Sequence, residues 1–339
     1  MESLAGIIGS EAGLRDVVQT AMRLAAVDAT VLICGETGVG KEVFARAIHG
    51  ASPRRHGPFV ALNCGGLSRE LLASELFGYV DGAFTGARRA GMLGKIEAAN
   101  RGTLFLDEIS ELPVDLQPYL LRVLEGGELY PVGSTKPRRV DFRLISACNK
   151  PLRSEVAAGH FRMDLFYRIS VTALHIPSLR QRRMDIPALV EHFAESAAAR
   201  HGLPKRAFTD DVLQLLMSHA WPGNVRELRN VVETLTLLSP SDVVDLSALP
   251  GELLGELGRE RATEATGPTV STGLSPRPGP ARGATLGRVE RDAISAAIVT
   301  RQGNLTQVAR DLNISRSTLY LKVKKHELDP LLDEARLGV

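Results

Sequence analysis

No stretch of this chain approaches the ~18 consecutive apolar residues that a membrane-spanning helix needs. The start, Met1-Glu2-Ser3-Leu4, lacks the basic region of a signal peptide. These absences argue against a secreted or helical membrane protein and set the expectation of a cytoplasmic one with no membrane partner. Cysteine is scarce. Cys34, Cys64 and Cys148 stand far apart in sequence, without metal-ligand spacing, and are expected to be buried, reduced thiols. The eight histidines are equally scattered, so none is assigned to catalysis or metal. With 44% hydrophobic and 24% charged residues the composition is neither disordered nor fibrous. The 339 residues leave room for two or three domains of roughly 100–200 residues each.

A net charge of +2 hides an asymmetry. Residues 281–328 hold nine Arg or Lys against four Asp or Glu, so the remainder sums to −3. A basic module on a slightly acidic body points to a polyanion at one end. Ahead of that module, Gly258–Ala284 has nine Gly or Pro among 27 residues. Proline lacks the amide donor and fixes φ, so this stretch is expected to be a flexible linker.

Within the body, apolar runs at Thr30–Cys34, Phe59–Leu62, Thr103–Leu106 and Phe142–Ser146 read as buried strands. Helical patterns at Glu42–His49, Leu67–Leu76 and Leu116–Leu124 lie between them. Such alternation predicts a parallel α/β sheet. After Pro177 the strand signals stop, and Ile186–Arg200, Asp210–Ser218 and Val225–Leu238 read as a helical subdomain. The expected division is therefore an α/β part over 1–176 and a helical subdomain over 177–257. A linker over 258–284 and a small all-α domain over 285–339 follow.

Gly35-Glu36-Thr37-Gly38-Val39-Gly40-Lys41 follows the first strand and opens a helix. Glycines let the backbone curl so that N–H groups and a helix N-terminus face phosphate oxygens, while Lys41 reaches the β- and γ-phosphates. Glu42 stands where a phosphate-binding loop ordinarily places a Ser or Thr hydroxyl on Mg²⁺. Coordination must then come from elsewhere. Thr103-Leu104-Phe105-Leu106-Asp107-Glu108 ends a buried strand in two carboxylates at the edge where α/β sheets bind ligands. Asp107 is expected to hold the Mg²⁺ shell and Glu108 to orient and polarise the attacking water. ATP and Mg²⁺ are the cofactors this predicts.

Residues ~5–250, by strand–helix alternation and motif order, resemble the AAA+ domain of bacterial enhancer-binding proteins, the activators of sigma-54 RNA polymerase. The specific match is Gly82-Ala83-Phe84-Thr85-Gly86-Ala87 within Glu75–Ala87. Its glycines bracket an aromatic and a hydroxyl, which predicts a mobile loop with Phe84 as an apolar tip. The resemblance implies that this loop contacts sigma-54. It further implies that Asn63 hydrogen-bonds the catalytic Glu108 and that Asn149 senses the nucleotide. Arg162 and Arg168, in Phe161–Arg168, would be arginine fingers, and Arg226, in Trp221–Leu228, would face the nucleotide from the lid. A guanidinium is suited to the finger role because it is always charged and can fork onto phosphate oxygens. Trp221 is expected in the lid core. Leu129–Arg138 matches a second insertion loop, with Tyr130-Pro131 departing from the usual basic residue there.

Residues 286–328 read as three helices, Leu286–Thr300, Thr306–Leu312 and Arg316–Lys325, the last two joined by a tight turn. That is a helix-turn-helix, and it resembles the Fis-type domain of the same family. Arg316, Ser317, Thr318 and Tyr320 fall where base edges are read, and Lys322 and Lys324 where phosphate is contacted. The resulting expectation is an ATP-hydrolysing activator. It would form a homo-oligomeric ring, a hexamer by resemblance with sevenfold symmetry left open, bind enhancer DNA and open the promoter complex of sigma-54 RNA polymerase holoenzyme. The rival reading is a DNA-binding repressor or nucleotide-gated switch without productive ATPase. The AAA+ pattern begins within ten residues of Met1. Control would then come from a regulatory protein in trans, unless a sensory domain has been removed.

Overall fold

The computed structural model describes residues 4–9, 12–83 and 90–249, together with Ser295, Ile298, Arg301, Leu305, Gln307 and Val308. The chain divides into two units, Met1–Pro268 and Thr269–Val339.

The first unit is built on five parallel strands, β1 (Val31–Cys34), β2 (Phe59–Asn63), β3 (Thr103–Asp107), β4 (Arg143–Cys148) and β5 (Thr172–His175), in the order β2-β3-β4-β1-β5. β3, β4 and β1 lie inside the sheet and are almost wholly buried. This is why they read as continuous apolar runs rather than alternating ones. β5 is an edge strand with only Leu174 buried, and its short Thr-Ala-Leu-His pattern carries no strand signal strong enough to read.

Register is what matters for function. Asn63 lies beside Asp107 across β2 and β3, and Cys34 beside Cys148 across β1 and β4. The residues that end these strands therefore share one edge of the sheet. Helices α1 (Arg15–Ala25), α2 (Lys41–Gly50), α3 (Arg69–Phe77), α4 (Gln117–Gly126) and α5 (Met163–Ile169) surround it. One apolar cluster, with Phe44, Ile48, Phe105 and Ile145, packs under α1 and α2. The other, with Leu76, Leu104, Leu120 and Leu165, packs under α3, α4 and α5. Each such side chain, fully buried, contributes about 1.5–3 kcal/mol. Arg143 is buried in β4 and donates to the carbonyls of Leu24, Ala25 and Ala29, closing the C-terminal end of α1.

After β5 come α6 (Ile186–His201), α7 (Asp210–Ser218) and α8 (Asn224–Leu238). Their core is Leu189, Val190, Leu216, Leu228, Val232 and Trp221. Trp221 is 1% exposed and its indole N–H donates to the Leu216 carbonyl at 2.8 Å, the lid-core role expected of it. Of the second unit, Ser295, Ile298, Leu305, Gln307 and Val308 are helical, and Ile298, Leu305 and Val308 are buried. The expected linker and Arg316, Ser317, Thr318, Tyr320, Lys322 and Lys324 lie outside the described residues. Among the described residues no helix is long and apolar enough to cross a membrane.

Candidate functional site

The Gly35–Lys41 loop leaves the end of β1 and enters α2. Gly38 and Gly40 take φ of +81° and +103°, conformations open to glycine and strained for other residues. Gly40 precedes the first turn of α2, which no side chain caps, and space beside it is open: a Cβ there would meet nothing within 4 Å. The N-terminal N–H groups of α2 thus sit against a glycine that lets a ligand approach. The Lys41 ammonium is buried and donates to the Gly35 and Glu36 carbonyls at 2.9 and 3.0 Å. Burial pushes its pKa below the ordinary lysine value, against the opposing pull of Asp107. A cation stripped of water and held only by carbonyls is suited to a phosphate chain.

β3 brings the carboxylates to the same edge. Asp107 accepts from the Glu108 N–H at 2.9 Å, and Glu108 takes a left-handed φ of 51°. That turn sends its carboxylate against Gly65, where a Cβ would collide with Glu108 Oε2 and sit 3.2 Å from Asn63 Oδ1. Glu108 and Asn63 therefore flank one glycine. The Asn63 oxygen accepts from the Gly65 N–H at 2.6 Å, so it holds the turn beside Glu108 rather than bonding that carboxylate directly. Cys64, buried between them, is pushed up to about 12 by burial and then by Asp107 and Glu108.

Asn149 follows β4, and its amide reaches the Thr37 hydroxyl at 3.4 Å. Its Oδ1 is buried without a hydrogen-bond partner in the described structure, an acceptor waiting for a donor such as a water. Glu42 points the other way, in an exposed ion pair with Arg46 at 2.6 Å. It lies outside the carboxylate pair that would serve a metal. Among the described residues no group of three or more His, Cys, Asp or Glu could hold a metal alone. A Mg²⁺ carried in on phosphate oxygens, with Asp107 beside it, fits that donor set.

The lid closes the loop from above. The Arg226 N–H donates to the Gly38 carbonyl at 3.3 Å, and a Cβ on Gly38 would run into the Gly223 carbonyl. Asn224, fully buried with φ of +52°, donates to the Thr37 carbonyl at 3.0 Å and to Glu36 at 3.2 Å, and accepts from the Leu179 N–H at 2.8 Å. Arg180 forks onto Glu36. Arg180, then Asn224, hold the Glu36 carboxyl below the usual range. Arg182, buried, donates to the Val39 carbonyl at 3.0 Å. Sequence reading missed Asn224, Arg180 and Arg182. Asn224 sits inside the Trp221–Leu228 motif, yet its partners lie more than forty residues away or farther.

Arg162 and Arg168 behave differently. Arg162 precedes α5 and pairs with Asp164 at 2.7 Å, while Arg168 donates to the Leu124 carbonyl at 2.6 Å. Both are exposed, and among the described residues neither bonds to the Gly35–Lys41 loop.

Of the hexapeptide, Gly82 and Ala83 are described; Phe84, Thr85, Gly86 and Ala87 lie outside the described residues. Its arms are pinned by reciprocal backbone bonds between Tyr79 and Met92, at 3.0 and 2.9 Å. The second insertion loop grips the same base, with Val80 N–H to Val132 O at 3.1 Å and Val132 N–H to Gly78 O at 2.9 Å. Gly133 is a close approach there, since a Cβ would sit 2.9 Å from the Ala83 Cβ. Tyr130 serves that loop by stacking under Arg122, whose guanidinium carbon is 4.3 Å from the ring centre.

Residues 7–175 match the family described as Sigma-54 interaction domain, 180–266 the AAA+ ATPase lid domain, and 285–326 the bacterial regulatory proteins of the Fis family. The chain is 43% identical over 325 residues to the sigma-54-dependent transcriptional regulator UacR of Escherichia coli (strain K12), covering 95% of this chain and 54% of that protein. It is 39% identical over 336 residues to the DNA-binding transcriptional regulator NtrC of Rhizobium meliloti (strain 1021), covering 94% and 69%. A solved structure of NtrX from Brucella abortus in complex with ATP superposes with a TM-score of 0.67 at 34% identity, over 94% of this chain and 69% of that one. The chain thus spans about half to two thirds of the length of these relatives. With the AAA+ sheet, its lid and the Fis-type segment in one sequence, this chain belongs to the sigma-54-dependent transcriptional regulators.

Proposed function

We propose that this chain hydrolyses ATP and spends the cycle on remodelling the closed promoter complex of sigma-54 RNA polymerase into the open one. It would act as a ring bound to enhancer DNA through residues 285–339. The observation that carries the reading is the meeting of Lys41, Asp107, Glu108 and Asn149 at one sheet edge, closed over by Asn224 and Arg226 of the lid.

When bound, Mg-ATP supplies the γ-phosphoryl group that passes to water. The α2 N-terminus and Lys41 would bind the phosphate chain, and Asp107 would hold a Mg²⁺ that neutralises phosphate charge. Glu108, aimed by its left-handed backbone, accepts the proton of the attacking water. Asn63 fixes the turn at Gly65 on which that carboxylate rests. Asn149 Oδ1, a buried acceptor without a donor among the described residues, would orient the water. Arg162 and Arg168 face outward and would complete the site of an adjacent subunit.

The route to the polymerase runs through the Asn63–Glu108 turn and α3 to the arms of the Gly82–Ala87 loop, which the Val80–Val132 bonds tie to the second insertion loop. Thr85→Ala tests this reading. The variant should hydrolyse ATP at the wild-type rate and form no open complex at a sigma-54 promoter. Normal promoter opening by that variant, or opening of a sigma-70 promoter by the wild type, would overturn it.

A further inference from the structure

Two cysteines that the sequence sets 114 positions apart meet at the root of the nucleotide loop. Cys34 ends β1 immediately before Gly35, and Cys148 ends β4 immediately before Asn149. They are register partners on adjacent parallel strands, and the Cys148 thiol donates to Cys34 Sγ at 3.4 Å. Adjacent strands run ~4.8 Å apart, inside the Cα separation that a disulfide bridges. From the geometry we infer that Cys34 and Cys148 are a thiol–disulfide modification site, oxidised by hydroperoxides, that switches off the nucleotide edge.

The two thiols are not equivalent. Cys34 is half-buried and accepts a hydrogen bond from Cys148, with the Lys41 ammonium nearby, and both favour its thiolate. Cys148 is 2% exposed and holds its proton. Cys34 is therefore the attacking sulfur and Cys148 the resolving one. Cys34 Sγ takes an oxygen from the hydroperoxide, whose O–O bond breaks, giving a sulfenic acid and, from hydrogen peroxide, one water. Cys148 Sγ then attacks the sulfenic sulfur. The S–S bond forms, the S–O bond breaks, and a second water leaves with the Cys148 proton. Two thiols are oxidised and one peroxide is reduced to two waters.

Bonding shortens the sulfur separation from 3.4 Å to about 2.05 Å. Closing that gap reorients both side chains and pulls on the strand ends, which lie beside the residues that set the site. The Gly35 N–H donates to the Cys148 carbonyl at 3.2 Å, the Cys34 carbonyl accepts from Ile176 at 2.9 Å, and Asn149 reaches Thr37. A displacement near 1 Å at such positions costs roughly 10²-fold in rate. Cys64, buried with its thiol pushed up to about 12, is an internal control that should stay reduced.

The loss of turnover rests on the ATP-hydrolysis reading; the disulfide does not, so the test reads both. Reduced full-length protein is treated with hydrogen peroxide, digested without reductant and mapped by mass. The expected result is a Cys34–Cys148 linked peptide lacking two hydrogens, free Cys64, and ATP hydrolysis slowed roughly 10²-fold and restored by dithiothreitol. Cys34→Ser, which lacks the attacking sulfur, should form no link and keep its own untreated rate through the same treatment. No link in the wild type, a link with unchanged rate and unchanged fluorescent-nucleotide affinity, or an equal peroxide-dependent loss in Cys34→Ser would overturn the inference. If the reduced wild type hydrolyses nothing, the proposed function fails. The peptide map and nucleotide affinity then still decide the switch.

Discussion

The nucleotide edge and the arginine-bearing helix α5 handle charge in opposite ways. At the edge the described charged and polar groups are mostly tied into the chain's own fabric, with Asn149 Oδ1 left unpartnered. Lys41 is sunk among carbonyls, Glu108 is braced on Gly65, and Asn224 is buried with three partners. At α5, Arg162 just before it and Arg168 within it are exposed, and among the described residues each guanidinium bonds one neighbour, Asp164 and the Leu124 carbonyl respectively. Exposed ion pairs contribute little to stability, since water screens them. At the edge Lys41 is held by carbonyls, and the guanidinium groups of Arg180 and Arg182 are already engaged by Glu36 and the Val39 carbonyl. The chain keeps its spare guanidinium groups on the outside. On the proposed function, the two regions would be halves of a site between subunits.

The strongest way to break that comparison is to remove one half. Arg168→Ala should lower ATP turnover by roughly 10³–10⁵-fold, the range an arginine finger supplies. Folding should be intact, because the one bond lost is an exposed one to a carbonyl. Mixing Arg168→Ala with Glu108→Gln should restore part of the rate. Mixed rings contain junctions where an intact Glu108 meets an intact Arg168. Mixed rings as inactive as their components, or full-rate hydrolysis by monomers, would show that the arginines do not act across a junction.

Removing the other half should cost somewhat less. Glu108→Gln keeps the shape of the side chain against Gly65 but accepts no proton, so turnover should fall roughly 10²–10⁴-fold with nucleotide affinity preserved. Lys41→Ala should lose affinity instead, leaving its carbonyl partners Gly35 and Glu36 to repel phosphate. A stopped-rate assay beside a nucleotide titration separates the two outcomes. Equal effects on affinity from both variants would mean that the edge is not divided into binding and water-activating parts.

These two regions were also unequally legible in the sequence. Gly35–Lys41 and Thr103–Glu108 are local signals, a loop between a strand and a helix and a buried run ending in carboxylates, and the fold places them as expected. The helices were legible for the same reason, down to Asp210–Ser218, whose expected and observed bounds coincide. What the chain conceals is set by register and by contacts distant in sequence. Cys34 beside Cys148 follows only from the order β4-β1 in the sheet. The edge strand β5 was missed because one buried residue in four leaves no pattern. The Asn63 oxygen accepts from the Gly65 N–H, and the bond expected from its amide to Glu108 is not among those of the described residues. Asn224 had a faint local signal, being an Asn behind Pro222-Gly223 and thus tolerant of a left-handed turn, but its partners on Glu36 and Thr37 require the folded lid.

Asn224 offers the next test, because its fully buried side chain joins lid to loop through Thr37 and Glu36. Asn224→Ala leaves the Leu179 N–H and the Thr37 carbonyl without partners, at roughly 1–3 kcal/mol for each buried group. It also puts alanine in a left-handed conformation at a further ~1–2 kcal/mol. Asn224→Gly relieves the second cost and keeps the first. The expected order of thermal midpoints is wild type, Asn224→Gly, Asn224→Ala, with nucleotide affinity weakened in both variants. Wild-type affinity in both would show that the lid closes without this anchor, and the edge would be less self-contained than the comparison holds.

The smallest expected effect concerns His49 in α2, the helix that carries Lys41. Its Nδ1 meets the Thr103 hydroxyl at 2.9 Å, pinning α2 to β3, which carries Asp107. Burial lowers its pKa below the usual histidine value, and the Arg143 and Arg46 charges add to this against a bond to the Gly57 backbone. The folded protein therefore keeps His49 neutral where the unfolded chain, titrating near 6.5, has begun to take up a proton. Stability from this site is fully present above about pH 6.5 and is lost as the pH falls from there through the lower folded value. One proton limits the slope to about 1.4 kcal/mol per pH unit. Replacing the ring by Gln keeps a partner for Thr103 and removes the titration, so the thermal midpoint of His49→Gln should depend less on pH between 6.5 and the folded value than that of the wild type. Arg168→Ala, on the exposed side, should parallel the wild type throughout. If His49→Gln tracks the wild-type curve, or Arg168→Ala departs from it, the buried and exposed halves do not differ in the way their hydrogen bonds indicate.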